Sequence, residues 1–151
     1  MGIADYVKIV DYGLVGVANV VNVLLLGIML ARPQGLRNLE RTLGGVLVLL
    51  AIPAGLGGIL NALAGRPWWT VLLPDLLMAF LLVELILDYV LQRDFRHTSL
   101  LWPYLILCYI SLWGMIGYAF SVSEAFGIVT LITYFLSLLA TWYSHAKVGP
   151  G

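Results

Sequence analysis

Charge is scarce in this sequence. Asp, Glu, Lys and Arg together make up 11% of its 151 residues, against about 25% in an average soluble domain. So few charged side chains cannot cover the surface of a soluble globule, and that class is excluded. The charges also balance, with Lys+Arg 8 against Asp+Glu 8. No net basic surface exists to hold nucleic acid by counterion release, so nucleic-acid partners are excluded too. Cysteine is nearly absent: Cys108 stands alone, which rules out an internal disulfide or a thiolate zinc site. Between Leu107 and Tyr109 it reads as a small buried hydrophobe. Neither of the two histidines, His97 and His145, lies deep in an apolar segment, which argues against a buried bis-histidine haem. A glycine-rich phosphate loop is also missing, because the run Gly55-Leu56-Gly57-Gly58 sits inside an apolar segment rather than after a strand. No cofactor is expected.

What is abundant is apolar sequence, at 62% hydrophobic residues and a mean hydropathy of +0.99. Crossing the ~30 Å hydrocarbon core takes about 20 mostly apolar residues in a helix, where every backbone N–H is satisfied within the segment. Five segments meet this requirement: Lys8 to Ala31, Thr42 to Ala64, Trp68 to Leu91, Leu100 to Ser121 and Glu124 to Ala146. Short punctuated turns such as Arg32-Pro33-Gln34-Gly35 and Gly65-Arg66-Pro67 separate them. The expected fold is therefore all-α: a polytopic bundle of five transmembrane helices with short loops, forming a single membrane domain over residues 1–151.

The basic residues alternate between loops. Arg32, Arg37, Arg41, Arg93, Arg96 and Lys147 fall on one side, and only Lys8 and Arg66 on the other. By the positive-inside rule the N-terminus is expected outside and the C-terminus in the cytoplasm of a cell membrane. The first span is expected to be retained, because Asp5 and Asp11 flank a single Lys8 and its apolar stretch exceeds a signal peptide's h-region. Trp68, Trp69, Trp102, Trp142 and Tyr143 lie near span ends and read as headgroup-level anchors.

Two of the spans carry packing signals. The second holds the small-residue ladders Ala51/Gly55 and Ala54/Gly58/Ala62, whose four-residue spacing lets helix backbones approach closely in lipid. Pro53, near its midpoint, removes a backbone N–H and predicts a kink. In the fifth, Thr130, Ser137 and Ser144 recur every seventh residue beside Thr133 and Thr141, a stripe expected to face protein or a wet cavity.

Glu84 and Asp88 are the sharpest chemical signal. A carboxyl inside a span costs several kcal/mol unless it is neutral, paired or wet. At i and i+4 the two share one helix face. Asp75, after Pro74, reads instead as an acid in the first turn of its span, where it suits the helix dipole. The first span places Asn19 near its midpoint and Asn22 a turn further in, so Asn22 and Glu84 are expected to meet at similar depth. Tyr109 and Ser111 of the fourth span, with Thr133 and Ser137 of the fifth, complete a polar belt. The candidate ligand- or proton-binding residues are thus Glu84, Asp88, Asn19, Asn22, Tyr109, Thr133 and Ser137. At the cytoplasmic face Asp94, His97 and His145 are weak metal-ligand candidates beside Asp88, and no metal site is assigned to them.

Three function classes fit these features. A small binding protein would take a ligand, ion or proton at the polar belt. An accessory subunit would pack on a membrane partner or a second copy. A lipid-modifying enzyme would use the acid and histidine cluster. Transport by one protomer is disfavoured, because no internal repeat pairs the spans. The expected partners are membrane lipids, with Arg32, Arg37 and Arg41 available for anionic headgroups, and either a homo-oligomer or a partner subunit. Binding ranks first, and the small-residue ladder discriminates: a partner interface leaves it unpaired within the chain, whereas a self-contained bundle covers it.

Overall fold

A computed structural model describes residues 2–92 and 95–149. Five of its helical segments are long and apolar enough to cross a membrane, at Ile3–Gln34, Arg37–Leu63, Trp68–Val90, Leu101–Val122 and Glu124–Val148. The chain is thus all-α and reads as a multi-pass membrane protein. The first two spans begin before the expected Lys8 and Thr42. Apolarity marks the stretch immersed in hydrocarbon, whereas helical hydrogen bonding continues into the polar flanks.

The first span is α1 (Ile3–Ala31). The second is divided into α2 (Arg37–Leu49) and α3 (Ala51–Leu63), and the break at Leu50 falls where Pro53 cannot donate to the Leu49 carbonyl. The third is α4 (Trp68–Glu84), continued by a wide π-helical turn over Leu85–Val90. After a short 3₁₀ turn at Phe95–His97 come α5 (Leu101–Val122) and α6 (Glu124–Val148). Ser123 caps α6, its hydroxyl accepting from the Phe126 N–H at 3.1 Å.

Helix α1 packs on α6, α2, α3 and α5, while α4 closes the bundle between α3 and α5. Leu14 and Val21 of α1, Leu77, Phe80 and Leu81 of α4, and Met115 and Tyr118 of α5 form the buried centre. The two halves of the second span behave differently. Along α3 the small residues admit its neighbours: a Cβ on Gly57 would stand 2.3 Å from Leu14 of α1, and one on Gly55 would stand 2.4 Å from Met78 of α4. Ala51, Ala54, Gly55 and Gly58 are buried, so apart from exposed Ala62 the ladder is covered within one chain. Beyond the break, α2 stays on α1 but meets α4 at only a few points. The Pro53 kink thus parts the bundle at the end that carries Arg32, Arg37, Arg41 and Arg96, called here the basic end.

Asp75 does not start its helix. The α4 helix begins at Trp68 with Pro67 as its N-cap and Pro74 lies inside it, so Asp75 sits two turns in, against Gly58 of α3. Pro74 leaves the Thr70 carbonyl without its intrahelical donor. The Asn61 amide of α3 donates to that carbonyl at 2.8 Å.

Candidate functional site

The parting of α2 from α4 opens a cleft of about 810 Å³ at the basic end, walled by α1, α2, α4, α5 and α6. Its depth is apolar, with Leu25, Phe80, Cys108, Leu112 and Leu138 on the wall. One to two turns nearer the basic end come Glu84, Asp88 and Tyr104, and the rim carries Arg32, Arg37, Arg41, Arg96 and His145.

Glu84 is the last residue of regular α4, half-buried, and the Tyr104 hydroxyl of α5 donates to its Oε2 at 2.5 Å. Aromatic packing positions that hydroxyl. The Tyr104 ring lies 5.8 Å from Phe80 and meets Phe95 nearly edge-on at 4.9 Å. Phe95 is 1% exposed and plugs the short 3₁₀ turn into the bundle. This anchor carries the next residue, Arg96, to the cleft, where its Nη2 donates to Asp88 Oδ2 at 3.1 Å and its guanidinium lies 5.1 Å from the Phe95 ring centre. Burial opposes the Arg96 charge, but Asp88 and Glu84 outweigh it, and the net shift of its pKa is upward. At the rim Arg32 Nε donates to Glu40 Oε1 at 2.9 Å. The π-helical turn puts Asp88 slightly less than one turn from Glu84, and both still line the cleft. The Tyr89 hydroxyl donates to the Arg41 carbonyl at 3.0 Å and lies where a Cβ on Gly44 would stand, fastening α2 to this turn.

The structure distributes the expected polar belt over separate sites. Glu84, Asp88, Tyr109 and Ser137 line the cleft. Asn19, Asn22 and Thr133 do not; they stitch α1 to α6. Asn19 Nδ2 donates to Thr130 Oγ1 at 2.9 Å, the Thr133 hydroxyl donates to Asn19 Oδ1 at 2.9 Å, and Asn22 Nδ2 donates to Thr133 Oγ1 at 3.0 Å. Asn22 therefore pairs with Thr133 rather than meeting Glu84. The expected stripe faces protein, with Thr130, Ser137 and Ser144 all buried. Ser137 satisfies its own helix by donating to the Tyr134 carbonyl at 2.7 Å. Ser111 bridges α5 to the Leu76 carbonyl of α4 at 2.8 Å. Of the weak metal candidates, His145 is at the cleft rim, His97 is exposed on the 3₁₀ turn, and Asp94 lies outside the described residues. Among the described residues no three His, Cys, Asp or Glu side chains are grouped closely enough to hold a metal ion.

Sequence reasoning missed the cluster at the opposite end. Arg66, in the Gly65-Arg66-Pro67 turn, donates through Nη1 to Asp11 Oδ1 of α1 at 2.5 Å, to Asn61 Oδ1 at 2.9 Å and to the Tyr118 hydroxyl at 3.2 Å. The Tyr118 hydroxyl donates in turn to Asp11 Oδ1 at 2.6 Å. Burial works against the Arg66 charge, but its hydrogen bond to Asp11 leads the opposing contributions and its pKa also moves up. The missed signal was depth. Asp11 lies more than two helical turns inside α1, too far in for a flanking charge, and Asn61 and Tyr118 match its level.

Comparison with models of protein families, with curated proteins and with solved structures finds no match for this chain. Any functional reading therefore stands on the geometry.

Proposed function

We propose that this membrane protein binds a small amphiphile in the cleft around Glu84. The observation that carries the reading is the cleft itself: about 810 Å³, within the range of small-ligand sites, with an apolar depth and the carboxyls of Glu40, Glu84 and Asp88 on its wall. The ligand's apolar body lies along Phe80, Leu112 and Leu138, and its polar part lies toward the basic end, beyond Glu84 and Asp88. The basic end faces the cytoplasm of a cell membrane in this reading, by the positive-inside rule. The accessory-subunit reading loses its main support, because α3 spends its small residues on α1 and α4 of the same chain.

The test is thermal unfolding of the detergent-purified protein, with phosphatidylcholine and a monoacylglycerol as probes. Thr141 lines the cleft from α6, so Thr141→Trp is expected to obstruct it, leaving lipid-free unfolding near wild type while removing the stabilisation by either probe. A Thr141→Trp protein that is stabilised as fully as wild type places the amphiphile elsewhere and ends the proposal. Glu84→Gln keeps a side chain of similar shape that still accepts the Tyr104 hydrogen bond. Stability is expected to hold while the response to the monoacylglycerol weakens, because the amide keeps one acceptor oxygen, used by Tyr104, where the carboxylate offers a second to the ligand's hydroxyls.

A further inference from the structure

We infer that the amphiphile is a lipid with an anionic phosphate headgroup, seated on Arg37 and Arg41 at the cleft mouth. This rests on the reading of the cleft as an amphiphile site and adds the class of headgroup. Each carboxyl on the cleft wall is already engaged: Glu40 with Arg32, Asp88 with Arg96, and Glu84 with the Tyr104 hydroxyl. Two lining arginines are left over. Arg37 and Arg41 are exposed at the rim, and neither has an ion-pair partner among the described residues.

Their placement suits one anion. At i and i+4 on α2 the two guanidinium groups stand on the same helix face, where like charges repel when nothing lies between them. A phosphate between them removes that repulsion and matches the planar donor fork of arginine. The helix that presents them is also fixed, because the Tyr89 hydroxyl holds the Arg41 carbonyl and occupies the space beside Gly44. The surface running inward from the mouth selects a lipid over a free anion. Leu25, Ile28 and Met29 of α1, Leu105 of α5 and Leu138 of α6 all line the cleft, which offers an acyl chain apolar surface and a free phosphate nothing.

The test titrates the full chain in neutral detergent with phosphatidylglycerol, phosphatidylcholine and inorganic phosphate, reading thermal stabilisation. For wild type, phosphatidylglycerol should half-saturate at a concentration lower than phosphatidylcholine by about tenfold or more, the scale expected of two arginines at a headgroup. The R37Q/R41Q double variant should lose that preference and half-saturate with the two lipids at similar concentrations. Equal half-saturation by both lipids in wild type overturns the inference, as does a double variant that keeps the preference. Stabilisation by inorganic phosphate as strong as by phosphatidylglycerol also overturns it, by assigning the site to a free anion. Should the double variant not fold, R37Q and R41Q singly are read the same way, each expected to lose part of the preference. Thr141→Trp separates the two layers. If it abolishes binding of both lipids while wild type shows no headgroup preference, the amphiphile site stands and the headgroup inference falls; if it leaves both intact, the amphiphile site itself is wrong.

Discussion

The two ends of the bundle use the same three residue types, an arginine, an aspartate and a tyrosine, to opposite effect. At the end bearing Arg66 the three converge on one carboxylate oxygen, with Asp11 8% and Tyr118 0% exposed, and the helices are locked around them. At the basic end they spread along a wall, Tyr104 on Glu84 and Arg96 on Asp88, and a cleft stays open beside them. The difference lies in the neighbouring backbone. Gly65-Arg66-Pro67 is a tight turn between α3, which glycines press against α1 and α4, and α4 itself. The basic end instead has a proline break that lets α2 diverge. Similar polar chemistry yields a lock where backbones are close and the wall of an open cleft where they part.

Labelling separates the two ends most sharply. Single cysteines replacing Gln34 and Pro67, in a Cys108→Ser background, are expected to react with an impermeant reagent from opposite faces of the membrane. Pro67 is preferable to Arg66 because the Arg66 guanidinium holds the lock. Reaction of both from one face would break the five-span arrangement.

Next in size is the loss of a carboxylate. Asp11→Ala leaves the Arg66 guanidinium without its carboxylate in a pair whose side chains are 18% and 11% exposed, and removing one partner of such a buried pair costs about 3 kcal/mol or more. Asp88→Ala removes the partner of Arg96 in a pair exposed to 27% and 24% at the edge of an open cleft, where a loss of about 1 kcal/mol is expected. Reversible unfolding in mixed micelles measures both, and equal losses would erase the distinction between lock and wall.

Gly57→Ala should also harm the locked half. Its new methyl group meets Leu14 at 2.3 Å, and overpacking of this kind costs about 1 to 3 kcal/mol. Between the two halves, Asn22→Ala removes one stitch of the α1–α6 seam, for about 0.6 kcal/mol. The smallest effect belongs to Gly45→Ala in α2, where a Cβ meets nothing within 4 Å. Unfolding should show it as neutral or slightly stabilising, since alanine favours the helix over glycine.

The number of spans, the Pro53 kink and the inward-facing stripe on α6 were legible in the sequence, because hydropathy, proline and small-residue spacing act within one helix. Pairings between helices were not. Asn22 and Glu84 share a depth, but depth leaves the rotation of each helix about its axis open, and the rotation of α1 turns Asn22 toward Thr133. Arg96 was counted for orientation alone; its reach to Asp88 depends on Phe95 burying itself next to it, a contact that no helical period describes. Asp75 was misplaced because proline commonly opens helices, whereas here Asn61 serves the carbonyl that Pro74 orphans and the helix continues through it.

The pairing of Asp11 with Arg66 bears on how the chain enters the bilayer. Both charges belong to the first helical hairpin, the aspartate on its first arm and the arginine at the end of its second. Because synthesis starts at the N-terminus, the two can neutralise each other before α4 emerges, and neither has to sit at the membrane unpaired, where a lone charge is costly. Tyr118 comes later, on α5, and its hydroxyl adds a hydrogen bond to the same Asp11 oxygen. The same cluster that locks the finished bundle thus serves first as the passport of its leading hairpin.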